Sequence, residues 1–296
     1  MTVIITTVGI SLFSNYIKYT EDNHLLNLPS ISEEFNKLDI GANPASSYSN
    51  RSYLTDIEHI KDVVRRHWVE KEASSAELQS TLQYIRQSGR DYAHFKVVLI
   101  ATDTVLSRLA AELICKRMND IIPELCLFEP EYGKGIIEGL VVHQSDKIKT
   151  PEGASFFDHG FMNLIARVTE LIAAHKEKEL ENVLNISGGY KAIVPIITLI
   201  GQLEEVPLLY NYENSDDLVE IGNLPFSFDQ TIGELYFDFL TADGLREINN
   251  TPEILDSLRK LKLIQSKDNE LTILGQLFHR YMNPIVDCKK GLLGYF

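Results

Sequence analysis

The chain has 296 residues, 44% hydrophobic and 24% charged, which is enough for one large core and a small appended unit. Its net charge of −14 argues against a broad electrostatic grip on duplex DNA or RNA, yet it leaves room for a small anion held by a local field. No run approaches the ~18 apolar residues of a membrane span, and Cys115, Cys126 and Cys288 show no C-x-x-C spacing. The expectation is a cytoplasmic protein with no disulfide framework, no zinc site and no cofactor.

The first element is the β-branched run Val3-Ile4-Ile5-Thr6-Thr7-Val8, which ends in Gly9-Ile10-Ser11-Leu12-Phe13-Ser14-Asn15. This is a strand over 2–8, a glycine turn and a polar helix start over 11–18, with Ser11 and Asn15 serving either as caps or as ligand contacts. From Tyr19 to Ser52 the periodicity is weak, and the stretch reads as a mobile insertion with one short helix near 31–38. Arg51 and Tyr53 are candidates for a lid. Helices follow over 53–70 and 74–87, the second opening at the capping sequence Ser74-Ser75-Ala76-Glu77.

A second strand over 95–101 runs into Thr102-Asp103-Thr104, a hydroxyl-rich turn that starts a helix over 104–118. Strands near 124–128 and 136–142 and a helix over 156–178 lead to the most informative segment. In Asn182-Val183-Leu184-Asn185-Ile186-Ser187-Gly188-Gly189-Tyr190-Lys191, a buried strand passes through two glycines into a helix over 191–204. Glycines let a backbone approach an anion closely, free N–H groups at a helix start point at it, and Lys191 adds a full charge. The sequence matches neither G-x-x-x-x-G-K-[ST] nor G-x-G-x-x-G, which counts against a nicotinamide or flavin enzyme. A last strand near 207–212 completes a layered α/β domain with a mostly parallel sheet. In such a sheet the turns after the strands share one edge and converge on one crevice.

The composition shifts near Gly222-Asn223-Leu224-Pro225. Residues 229–296 read as helices near 231–239, 244–248 and 251–262, a hairpin around Lys267-Asp268-Asn269 and a final helix over 274–282. Helices followed by a two-stranded wing make a winged helix. Eight Lys and Arg against ten Asp and Glu in this span favour a role in dimerisation or as a lid over DNA binding. His67, His94 and His159 lie in or beside apolar runs, without metal-ligand or triad spacing.

Taken together, the Val8 to Asn15 turn, the Ser75-Ala76-Glu77 helix start, the Ala101-Thr102-Asp103-Thr104 turn and the Asn185 to Lys191 segment resemble the CRISPR-associated Rossmann-fold (CARF) proteins. The resemblance is greatest to those that carry a carboxyl-terminal winged helix. It implies a Rossmann-like domain over 1–222, a winged helix over 229–296 and a homodimer that binds a cyclic oligoadenylate, most often cyclic tetra-adenylate, across its two-fold axis. A symmetric ring suits a symmetric cleft.

In such families the ligand either switches on an attached nuclease or is degraded by the CARF domain itself, then called a ring nuclease. After residue 229 the only histidine is His279, and neither Arg246 nor Arg259 stands at HEPN-type Arg-x(4–6)-His spacing before it; no restriction-type Asp with Glu-x-Lys is present in the tail. Ring cleavage, or regulation through the winged helix, is what remains. On the ring-nuclease reading the nucleophile is the RNA 2′-hydroxyl and no metal is required. Lys191 stabilises charge on the phosphate or leaving oxygen, and Ser11 either holds the scissile phosphate or orients the 2′-hydroxyl. Backbone N–H groups of Gly9, Gly188 and Gly189 serve as anion donors. Thr7, Ile10, Asn15, Thr102, Asp103, Ser187 and Tyr190 are further candidates for ligand contact, Tyr190 by stacking on a base. A binding module that senses the ring without cutting it, or a transcription regulator, would use the same pocket.

Overall fold

The computed structural model describes residues 1–22, 29–39, 45–68, 75–129, 135–140, 151–189, 191–211, 217–223, 236–241, 244, 251–261, 263–265, 270–272, 274–279 and 281–282. The chain divides into two compact units, Met1–Leu224 and Pro225–Phe296.

The first unit is built on a seven-stranded sheet. Its strands are β1 (Thr2–Val8), β2 (Phe95–Thr102), β3 (Cys126–Leu127), β4 (Ile136–Ile137), β5 (Glu181–Asn185), β6 (Leu208–Asn211) and β7 (Leu218–Ile221). The order is β3-β2-β1-β5-β6-β7, with β4 also pairing to β2. Every pairing is parallel except β6 with β7. This is a Rossmann-like α/β fold, as the alternation of strand and helix predicts.

β1 lies at the centre and is buried along its whole length, which is why it reads as a continuous β-branched run and not as an alternating one. The chain proceeds from β1 to β2 and β3 on one side, then returns to place β5 on the other. The strand order therefore reverses between β1 and β5, and open α/β sheets take their ligands beyond the carboxyl ends of the strands at such a switch point.

Seven helices accompany this sheet: α1 (Ser11–Asp22), α2 (Ser32–Asp39), α3 (Arg51–Arg66), α4 (Ala76–Gln87), α5 (Val105–Ile121), α6 (Pro151–Lys176) and α7 (Val194–Leu203). Ile4 and Val8 of β1 and Val97 and Leu99 of β2 share a single apolar core with side chains from α1 to α5. α6 packs against β4, β5 and α7. Helix starts follow the sequence signals closely. The Ser75 side chain accepts the Leu78 N–H at 3.1 Å to cap α4, and Thr104 accepts the Ser107 N–H at 3.1 Å to cap α5. α7 begins at Val194, later than the glycine turn suggests, and Lys191–Ile193 form a 3₁₀ turn first. Pro195 accounts for this, since a proline without an N–H fits only the first turn of an α-helix.

Two expectations need revision. The described part of the 19–52 stretch is packed: Ile31 and Ala45 are wholly buried, Leu38 and Tyr48 nearly so, and all four join the main core. The Tyr48 hydroxyl donates to Glu112 at 2.5 Å, and its ring lies 4.1 Å from the Arg108 guanidinium, so the 3₁₀ turn Ala45–Ser49 is fastened to α5. Arg51, exposed, opens α3 and is preceded by the cap residue Asn50, whose side chain accepts the Ser52 N–H at 3.1 Å. Finally, β7 is an additional, antiparallel strand. It is half solvated and flanked by acidic and glycine residues, so it carries no buried run to announce it.

In the second unit, Phe237, Leu240, Leu258, Leu263, Ile264, Phe278 and Met282 form a separate core. It contains the helix Pro252–Lys260 and an antiparallel bridge between Ile264 and Leu271. The turn 267–269, most of the helix expected over 244–248 and Cys288 lie outside the described residues. Among the described residues no helix is long and apolar enough to cross a membrane.

Candidate functional site

The turn after β1 and the turn after β5 meet at the switch point. A Cβ placed on Gly9 would stand 3.0 Å from the Cα and N of Gly189, so the backbones approach this closely because residue 9 has no side chain. Gly189 also has φ +96°, a conformation that other residues rarely adopt. The Thr7 hydroxyl, at the end of β1, donates to the Gly188 carbonyl at 2.8 Å and locks the turns together. Thr7, Gly9, Gly188 and Gly189 thus form one structure, although about 180 positions separate them in sequence.

Above the turns lies the first helical turn of α4. Glu77 is fully buried there, with its carboxylate between the two strand ends. Oε1 accepts the Gly9 N–H at 3.0 Å and Oε2 accepts the Ser11 hydroxyl at 2.9 Å. A Cβ on Gly188 would overlap the Glu77 carboxyl group, so this glycine makes room for a neighbouring side chain. The position suits a carboxylate, because the start of a helix carries partial positive charge. The Gly9 N–H, expected to bind an external anion, is therefore already given to an internal one.

A second polar seam continues below. The Asn185 side-chain amide donates to Ser80 at 2.8 Å and to Thr81 at 3.0 Å, while its oxygen accepts the Ser187 N–H at 3.1 Å. These groups are buried and mutually satisfied, so α4 is keyed to the carboxyl end of β5. The Ser187 hydroxyl accepts the Asn211 N–H at 2.9 Å, tying the β5 turn to β6.

Ser11 begins α1 and is partly exposed, with one side on Glu77 and the other open to solvent. The Ile10 carbonyl accepts the N–H groups of Phe13 and Ser14, at 3.1 Å and 3.2 Å, and so starts that helix; Asn15 is exposed one turn further on. Lys191 is exposed on the 3₁₀ turn that follows the glycines. Tyr190 lies outside the described residues.

The third turn, after β2, does different work. Asp103 is buried, and its two oxygens accept the N–H of Ala45 at 3.1 Å and of Gly139 at 3.2 Å. It braces two loops against the sheet. Thr102 is also buried, its N–H given to the Ser107 hydroxyl at 3.0 Å, while that hydroxyl donates to the Val8 carbonyl at 2.8 Å. Ser107 therefore joins the ends of β1 and β2 to the first turn of α5.

Sequence reasoning passes over Glu77, Asn185 and Ser107 as functional or positioning groups. Glu77 stands in a helix-start motif and reads as part of the cap. Its side chain instead reaches the loop after β1, 66 positions from Ser11. Only an acidic residue beside Ala76 at a helix start hints at this.

At the switch point the partly exposed Ser11 follows β1, the exposed Lys191 follows the turn after β5, and the Gly9 and Gly189 backbones are in contact between them. A family model described as "CRISPR-associated protein (Cas_APE2256)" matches residues 72–224, just over half of the chain. That span includes α4 with Glu77, β5 and the turn to Lys191.

Proposed function

Because this chain belongs to the CRISPR-associated protein (Cas_APE2256) family, we propose that it is a ring nuclease acting in CRISPR antiviral signalling. A homodimer binds cyclic tetra-adenylate across its two-fold axis and cleaves it, without metal, to linear di-adenylate ending in a 2′,3′-cyclic phosphate. The observation that supports this reading is the meeting of two turns at the switch point, with Ser11 in the one after β1 and Gly188, Gly189 and Lys191 in and beside the one after β5.

The chemistry asks little of the protein. The substrate supplies its own nucleophile, so the site has only to align a 2′-hydroxyl with the phosphorus and neutralise charge that grows on the phosphate and the leaving 5′-oxygen. Lys191 supplies the charge. Ser11 orients the reacting ribose. A modest rate suits a device that clears a signal over time.

The second unit supports another reading, a sensor that passes ligand binding to its own folded core and leaves the ring intact. One experiment separates the two. The full chain is incubated with radiolabelled cyclic tetra-adenylate in EDTA, beside Lys191→Ala and Ser11→Ala. Linear di-adenylate from the wild type, and little from either variant, is the expected result. A ring that is bound but intact sinks the enzyme and supports the sensor; a ring that is not bound at all removes the ligand assignment.

A further inference from the structure

A serine hydroxyl has one proton, and in this structure that proton is spent. Ser11 donates it to Glu77 Oε2 at 2.9 Å, and the other carboxylate oxygen is held by the Gly9 N–H at 3.0 Å. Toward the crevice Ser11 is therefore left with lone pairs alone. A group that only accepts is poorly suited to grip an anionic phosphate, whose oxygens also only accept. It is well suited to a hydroxyl. Of the two roles open to Ser11, holding the phosphate or orienting the 2′-hydroxyl, the hydrogen bond selects the second.

We propose that Glu77 is a positioning residue that acts through Ser11, fixing it as the acceptor for the attacking 2′-hydroxyl and receiving the proton that this attack releases. The inference rests on the ring-nuclease reading above. In the step, the 2′-oxygen forms a bond to phosphorus and the phosphorus–5′-oxygen bond breaks. The 2′-hydroxyl proton passes to Ser11 Oγ as the serine proton passes to Glu77 Oε2, and the departing 5′-oxygen takes a proton from the Lys191 ammonium. Atoms and charge balance without a further reactant.

Burial and sterics support this use of Glu77. A fully buried carboxylate is costly to keep, and its two described partners are neutral donors. The space it occupies exists because residue 188 has no side chain. A cap alone would not need this, since Ser75 already caps α4. The arrangement holds an acceptor-only side chain against one particular hydroxyl.

The test uses the full-length protein and cyclic tetra-adenylate, with Glu77→Gln as the variant. Glutamine keeps the size, and its oxygen can still accept the Gly9 N–H. Its amide nitrogen then donates to Ser11 and turns the serine proton outward. Single-turnover cleavage should fall about a hundredfold, in the range lost with a general base, while ring affinity stays the same or improves. Wild-type cleavage should also be slower in D₂O, and that slowing should shrink in Ser11→Ala. Undiminished cleavage by Glu77→Gln overturns the inference and leaves the ring nuclease standing. So does a folded variant, judged by its thermal transition, that loses affinity and rate in equal measure. If Glu77→Gln does not fold, the wild-type isotope effect decides, and its absence overturns the relay. A wild type that never cuts the ring overturns both readings.

Discussion

Thr7 Oγ1 donates to the Gly188 carbonyl across 2.8 Å, a side-chain bond that joins the end of the first strand to the turn after the fifth. Both residues are buried, so the carbonyl has no water to fall back on. Thr7→Val preserves shape and removes the donor, and the unmet carbonyl should cost about 1–3 kcal/mol of stability. Urea unfolding measures this as a lower midpoint at unchanged slope. Thr7→Ser should recover most of the loss, and a Thr7→Val protein as stable as the wild type would show that the bond contributes nothing.

Gly189→Ala tests the backbone itself. The residue has φ +96°, and its new Cβ would stand 2.9 Å from Thr7 Oγ1. Strain of this kind costs about 1–3 kcal/mol. The variant should melt at a lower temperature and, on the proposed function, bind cyclic tetra-adenylate more weakly than its fraction folded explains, because the turn that leads to Lys191 has moved.

For Asp103 the expected outcome is structural. Each of its oxygens accepts one backbone N–H, from Ala45 and from Gly139. Asp103→Asn can serve only one of them and should destabilise by about 1–3 kcal/mol. Amide exchange should quicken at Ala45 or Gly139, whichever loses its acceptor. Exchange unchanged at both would remove Asp103 from this bracing role.

The parallel strands β1, β2 and β5, the capped starts of α4 and α5 and the two glycine turns are legible in the sequence, because each depends on local signals, whereas β7 and the late start of α7 are not. β1 and β5 are buried runs, Ser75 and Thr104 stand where caps belong, and two glycines follow a strand. Glu77 was not legible as a partner of Ser11. Its meaning comes from the return of the chain to place β5 beside β1, which brings α4 over both strand ends, and no local spacing encodes that crossing. Tyr48 is a similar case. It looks like part of a polar, serine-rich loop, and distant side chains, Lys61 on α3 and Arg108 and Glu112 on α5, hold it against the core.

The thiols of Cys115 and Cys126 should differ in reactivity. A hydrogen bond from Cys126 holds the partly exposed Cys115 thiol below its usual pKa, whereas burial pushes Cys126 well above. Thiolate is the reactive form, so iodoacetamide at mildly alkaline pH should modify Cys115 first and reach Cys126 only as the protein unfolds. Peptide mapping by mass spectrometry follows the two separately. Equal rates in the native state would contradict the assignment.

Of the seven strands of this sheet, the central one is the first made. β1 has no neighbour until Phe95 emerges from the ribosome, and its other flank stays open until Glu181 does. At about 5–20 residues per second, that flank waits roughly ten to forty seconds of synthesis. During this time one of the most apolar stretches of the chain is available to wrong partners. The junction of Thr7 and Gly9 with Gly188 and Gly189 cannot form in a fragment that ends before β5, because its two halves lie at opposite ends of the domain. A ribosome that stalls before β5 therefore releases a product with an exposed sheet edge and half a junction, one for chaperones and proteases to clear.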